Sequence, residues 1–367
     1  MFTNFKSGRY VAVAAAAALL LAACGTGGGE NDPGNPNAPQ PATGETITLD
    51  GAGATFPTPL WQALIDDYTR NVNPNVRINY QSIGSGGGIT QFKEQTVQFG
   101  SSERFLSDED LADVEAARGC PAVQLPAVYG SVVIAFSDDQ FDGLVLTADV
   151  IARVFDRDIV NFNDPAIAAL NPGVDLPDVE IAPVHRSDGS GTTNVFTLYL
   201  EDEVPMWADK YGSGTEVNWA AGTIGGQGNE GVAAGIIQNP GGFGYVNQSY
   251  AIELGLPQAQ VVNADGNAIY PTLEATSAGL DGLEIPESYQ FSILGIGGEG
   301  YPITGAVWNF FYECGYTDAE AAELKAFWAW ALGAEGDAHA TELGYAPLGQ
   351  AVKDRVLADL ERINASN

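Results

Sequence analysis

Three short stretches of this chain carry the residue types needed to hold an oxyanion. They are Thr55 and Phe56 in GAGATFP, Ser85 with Gly86 to Gly88 in SIGSGGG, and Ser190, Gly191 and Thr192 in HRSDGSGTT. Each places small hydroxyl residues and flexible backbone where a helix is expected to start. Helix starts present unpaired N–H donors and a partial positive charge, so three of them converging would form an oxyanion cage. Taken singly, each is explained by ordinary N-capping through Ser or Thr. Arg186, just ahead of the third stretch, adds a planar fork of donors suited to a tetrahedral oxyanion. Asp188, two residues on, can hold that guanidinium; the alternative is a surface ion pair of little energetic value.

The elements that must position these residues repeat one pattern: a short alternating strand, a turn rich in Gly, Ser and Thr, then a helix. In TITLDGAGATFPTPLWQALIDDY, Ile47 and Leu49 alternate. Pro57 and Pro59 suit a first helical turn, and Leu60, Trp61, Leu64, Ile65 and Tyr68 form one apolar stripe. VRINYQSIGSGGGITQF and VEIAPVHRSDGSGTTNVFTLYL repeat the pattern, with Val195, Phe196, Tyr199 and Leu200 on the third helix. Such alternation predicts an α/β architecture with largely parallel sheets, whose ligand sites lie beyond the carboxyl ends of the strands. Leu324, Phe327, Trp328 and Ala331, beside Trp330, fall at helical spacing and read as helix core. GTIGGQGNEGVAAGII opens a further helix and is expected to serve as helix entry without a direct ligand contact.

Bulk properties narrow the setting. Lys6 and Arg9 precede an apolar run, Val11 to Ala23, that is too short to span a bilayer, so residues 1–23 read as a secretory signal peptide. Leu21, Ala22, Ala23 and Cys24 resemble the bacterial lipobox, in which the cysteine is lipidated. Residues 24–45, rich in Gly, Pro and Asn, suit a flexible tether. The remainder exceeds most single cores and predicts two lobes. The formal charge is -32, and it becomes more negative once Lys6 and Arg9 leave with the signal. Nucleic acid is thereby excluded as a partner, while a buried anion site still answers to its own donors. Cys120 and Cys314 can pair in an oxidising compartment or stay as separate buried thiols.

In order along the chain, GAGATFP, NYQSIGSGGG, FGSSE, HRSDGSGTT, GFGYV and YPIT resemble the substrate-binding protein of the bacterial high-affinity phosphate importer, over about residues 46 to 360. The resemblance implies an α/β, two-lobed periplasmic-binding-protein fold (type II) with two hinge crossovers. Lobe 1 would be residues 46–128 plus 299–367, and lobe 2 residues 129–298. It further implies that Thr55, Phe56 and Ser85 bind phosphate from lobe 1, and that Arg186, Ser190, Gly191 and Thr192 bind it from lobe 2, with Asp188 orienting Arg186. Both Cys120 and Cys314 then fall in lobe 1. A membrane permease of an ABC importer is the implied partner, and an exported monomer anchored at the membrane through Cys24, without cofactor or metal, is the implied state. One position departs from the family: Glu103 follows Phe99, Gly100, Ser101 and Ser102 where the family usually has Asp. A carboxylate there accepts a hydrogen bond from protonated phosphate and repels sulfate, and Glu is one methylene longer.

Competing chemistries fit less well. An extracellular phosphatase would need a base, and with only His185 and His339 a His-rich metal site is excluded. His185, Asp188 and Ser190 have the side chains of a triad but lie too close in sequence to align as one. The GxGxxG at Gly295 to Gly300 runs into YPIT and not into a helix pattern, so it does not read as a dinucleotide-binding turn. Another oxyanion, such as sulfate, is the nearest alternative within the binding class.

Overall fold

The computed structural model describes residues 46–366. The expected signal peptide, lipidated Cys24 and most of the tether lie outside the described residues. Numbering the strands of the main sheet and the helices that meet at its edge, the chain runs β1 (Ile47–Gly53), α1 (Thr58–Asp67), β2 (Val76–Ser82), α2 (Ser85–Lys93), β3 (Phe99–Ser102) and β4 (Ala122–Phe136). It continues through β5 (Ala182–Arg186), α3 (Gly191–Glu203), β6 (Ile224–Gly226), α4 (Gly228–Gln238), β7 (Gly242–Asn247), β8 (Thr304–Tyr312), α5 (Asp318–Ala331) and β9 (Ala346–Pro347). The strand order is β2-β1-β3-β8-β4-β7-β5-β6, with β9 also on β4.

The sheet falls into two halves with the same logic. In the first, β1 pairs in parallel with β2 and β3; in the second, β5 pairs in parallel with β6 and β7. The centre is antiparallel, so the sheet is more mixed than the strand–turn–helix repeats suggest. The reason is β4, whose burial is almost continuous along 15 residues. Its first part pairs with β8 up to Ser131, and its last five residues pair with β7. One strand thus serves both halves. Pro126, which cannot donate to a ladder, sits where the β4–β8 register shifts between Val307 and Trp308. The backbone N–H of Val132 donates to the carbonyl of Ile303, so the passage along β4 and the passage into β8 run side by side.

The helices bury the stripes expected of them. Leu60, Trp61 and Leu64 of α1 and Leu324, Phe327 and Trp328 of α5 are buried, and Trp61 meets Trp328 edge to face at 5.1 Å. Residues 285–291 pack on the first half, where Tyr289 donates to Asp359 and accepts from Arg355. Gly295 to Gly300 starts no helix. Cys120 and Cys314 form a disulfide two residues beyond the last β4–β8 pair, Ala122 with Tyr312. It clamps the end of the sheet opposite the carboxyl ends of β1 and β3. Among the described residues, no helix is long and apolar enough to cross a membrane.

Candidate functional site

Five strands, parallel within each half of the sheet and antiparallel between the halves, deliver their carboxyl ends to one place. Past β1 come Thr55 and Phe56; past β2, Ser85; past β3, Glu103; past β5, the stretch from Asp188 to Thr192; past β6, Gly228 and Asn229. Arrival of strand ends at a shared edge is where α/β sheets place ligands. Thr55, Phe56, Ser85, Glu103, Arg186, Ser190, Gly191, Thr192 and Asn229 are all buried there.

Arg186, the last residue of β5, is 3% exposed. Its Nε donates to Asp188 Oδ1 at 2.8 Å and its Nη2 to Oδ2 at 2.5 Å, a fork-to-fork pairing that fixes the guanidinium plane. The backbone N–H of Gly228 also donates to Asp188 Oδ1, at 3.0 Å. Burial would raise the Asp188 pKa, but the Arg186 pairing and this N–H hold it below the usual carboxylate range. Arg186 Nη1 remains on the Thr192 side, 3.4 Å from its Oγ1.

The turns are built as their sequence implies. Ser190 caps α3, its Oγ accepting from Thr193 N–H at 3.0 Å. Gly84, at φ 84°, lets the chain enter α2. The loop after β1 is pinned through its carbonyls, with Tyr250 Oη donating to Thr55 O and Tyr345 Oη to Phe56 O, each at 2.6 Å.

Glycines let the halves meet. Gly86 N–H donates to Gly189 O at 2.9 Å, and a Cβ on either glycine would stand 3.1 Å from the other's Cα. At Gly191 a side chain would collide with the Glu103 carboxylate and with Ser85 Oγ. The longer acid at position 103 therefore reaches the second half through space that only glycine leaves open. Glu103 Oε2 accepts from Ser85 Oγ at 3.4 Å, while the buried Oε1 has no hydrogen-bond partner among the described residues. Burial pushes the Glu103 pKa up to about 8, against the lowering effect of Arg186.

The sequence reading missed Asn229. Its segment does start α4, as expected, but its side chain turns into the cluster and bonds Thr55 and Thr192. A usable signal was present: GGQGN stands at the carboxyl end of a parallel strand, as the other turns do. The residues of the imagined triad do not form a relay. His185 Nδ1 is bonded to Arg186 O and its ring stacks on Trp219, Asp188 serves Arg186, and Ser190 caps α3.

Comparison with known proteins shows the family. The PBP superfamily domain matches residues 36–335. The phosphate-binding protein PstS of Xylella fastidiosa (strain 9a5c) is 38% identical over 329 residues, covering 87% of each chain. The PstS of Pasteurella multocida is 35% identical over 86% of this chain and 90% of its own. The chain belongs to the PstS phosphate-binding protein family. Solved structures agree at the level of fold. A high-affinity periplasmic phosphate-binding protein bound with phosphate superposes with a TM-score of 0.72 at 22% identity, covering 85% of this chain and 94% of that one. A putative phosphate ABC transporter substrate-binding protein from Clostridium perfringens, with bound phosphate, gives 0.60 at 16% identity, over 82% and 100%. The family's two-lobed α/β fold is the architecture described above.

Proposed function

We propose that this chain binds inorganic phosphate where its five strand ends meet and delivers it to the membrane permease of an ABC-type importer. The observation that carries the reading is Arg186: a buried guanidinium held by Asp188 and faced by hydroxyls and helix starts from both halves of the sheet. An anion there replaces its hydration with donors from both halves. A charge-assisted hydrogen bond contributes roughly 1.5–3 kcal/mol, so a few suffice for micromolar binding, about −8 kcal/mol, or tighter. The halves of the sheet are read as the cores of the two lobes, 46–128 plus 299–367 and 129–298, with residues 285–291 reaching back from the second to pack on the first, and ligand shifts an open–closed equilibrium about the paired crossovers. Thr55, Phe56, Ser85 and Glu103 act from one side, and Arg186, Ser190, Gly191 and Thr192 from the other.

The same reading takes residues 1–23 as an export signal and Cys24 as the lipid anchor of a monomeric protein, so Cys24→Ser should release the protein from membranes. It assigns binding without turnover. Calorimetric titration of anion-stripped protein with phosphate should give one tight site per chain, and an aryl phosphate should show no hydrolysis. Absence of phosphate binding, or steady turnover, would overturn the proposal.

A further inference from the structure

We propose that Asn229 is a positioning residue that fixes the hydroxyls of Thr55 and Thr192 as donors toward the bound oxyanion. The inference rests on the phosphate-binding reading above and adds to it a residue that touches the donors instead of the anion.

A threonine hydroxyl has one O–H and two lone pairs, and left alone it can turn either toward a ligand. Here the lone pairs are occupied. Thr55 Oγ1 accepts the backbone N–H of Asn229 at 3.1 Å and its Nδ2 at 2.8 Å. Thr192 Oγ1 accepts the same Nδ2 at 3.1 Å, through its other hydrogen, and Arg186 Nη1 at 3.4 Å. With both lone pairs engaged, each hydroxyl retains only its hydrogen to offer.

The amide cannot be turned round at no cost. Asn229 Oδ1 accepts the backbone N–H of Asn247 at 2.9 Å, so reversing it would set its NH₂ against that donor. Asn247 is itself held by its bonds to Ser249 in the next helix. Asn229 is fully buried, where an unmatched polar group is expensive. The arrangement therefore presents donors only on this side of the site, which favours a deprotonated oxyanion over a neutral hydroxyl compound. Because Thr55 follows β1 and Thr192 and Asn229 belong to the second half, the orientation is completed when the halves meet.

The test measures phosphate affinity by calorimetry for wild type, Asn229→Asp and Asn229→Ala, with thermal unfolding as the check on folding. Asn229→Asp keeps the shape but replaces the Nδ2 donor by an acceptor, so both hydroxyls turn away from the anion. Affinity should fall at least about 100-fold, taking roughly tenfold for each lost donor. Asn229→Ala should cost about tenfold. In a Thr55→Val, Thr192→Val background, with no hydroxyls to orient, Asn229→Ala should cost less than about twofold more, the non-additivity of a residue acting through its partners. If Asn229→Ala costs the same in both backgrounds, or Asn229→Asp binds as wild type does, the inference is overturned while the phosphate reading stands. A folded wild type that binds no phosphate would instead remove the reading beneath it. Should Asn229→Asp not fold, the Asn229→Ala comparison in the two backgrounds decides.

Discussion

The two halves of the sheet bring different chemistry to the same edge. The second half supplies the positive charge: Arg186 with Asp188 behind it, the capped start of α3, and Asn229. Among the described residues, the first half brings no cation to the site. It offers Thr55, the loop at Phe56, Ser85 and a buried carboxyl, Glu103, whose Oε1 is left without a partner. On the reading proposed above, one side attracts the anion and the other inspects it. In a chain of net charge -32, capture depends on this local division and not on the general field.

The strongest way to break the comparison is to remove the charge. Arg186→Ala leaves the half-buried Asp188 carboxylate with only the Gly228 N–H, and should weaken phosphate binding by about 3–5 kcal/mol, roughly 150- to 5,000-fold. Arg186→Lys should recover only part, because an ammonium cannot hold Asp188 and the anion in one plane. Titration calorimetry at constant pH reads both. A milder break acts on the meeting of the halves without touching a donor. Gly189→Ala puts a methyl against Gly86 Cα and strains the Gly86 N–H to Gly189 O bond. About tenfold should be lost, chiefly as faster phosphate release in stopped-flow displacement.

Titration of Glu103 sharpens the comparison. Its pKa in the folded protein is raised from 4.5 to about 8, so the folded state binds this proton more tightly than the unfolded chain. The stability it contributes is fully present below the unfolded value and is lost as pH rises through about 8. Denaturant unfolding of wild type between about pH 5 and about pH 8 should therefore show a fall in stability that Glu103→Gln lacks. The smallest effect on binding is expected from the far end of the sheet. Replacing Cys120 and Cys314 by Ser opens a loop spanning 194 residues and should cost about 2–4 kcal/mol of stability, with phosphate affinity unchanged.

The strand–turn–helix units were legible in the sequence because their periodicity changes from alternation to helical spacing across a Gly, Ser and Thr turn. That places Ser85 and Ser190 at helix starts and Thr55 in the turn just ahead of one. β4 was not legible in the same way: AVQLPAVYGSVVIAF reads as one buried run, and its change of partner after Ser131 depends on strands far away in sequence. Asn229 was hidden because Asn near a helix start reads as a cap. Glu103 stands among so many acids in SERFLSDEDLADVE that nothing local marks it as the buried one, and only the resemblance singled it out. The room made for it at Gly191 is a tertiary fact.

The central claim is that one half holds the anion and the other reads its proton. The direct test is competition of sulfate against phosphate on wild type at about pH 6 and about pH 9, either side of the Glu103 pKa. Protonated Glu103 can donate to sulfate, whereas ionised Glu103 repels it and accepts the proton that phosphate still carries. The account predicts measurable sulfate competition at the lower pH, none at the higher, and phosphate bound at both. Sulfate competition that does not change with pH, or loss of phosphate at the higher pH, would contradict it.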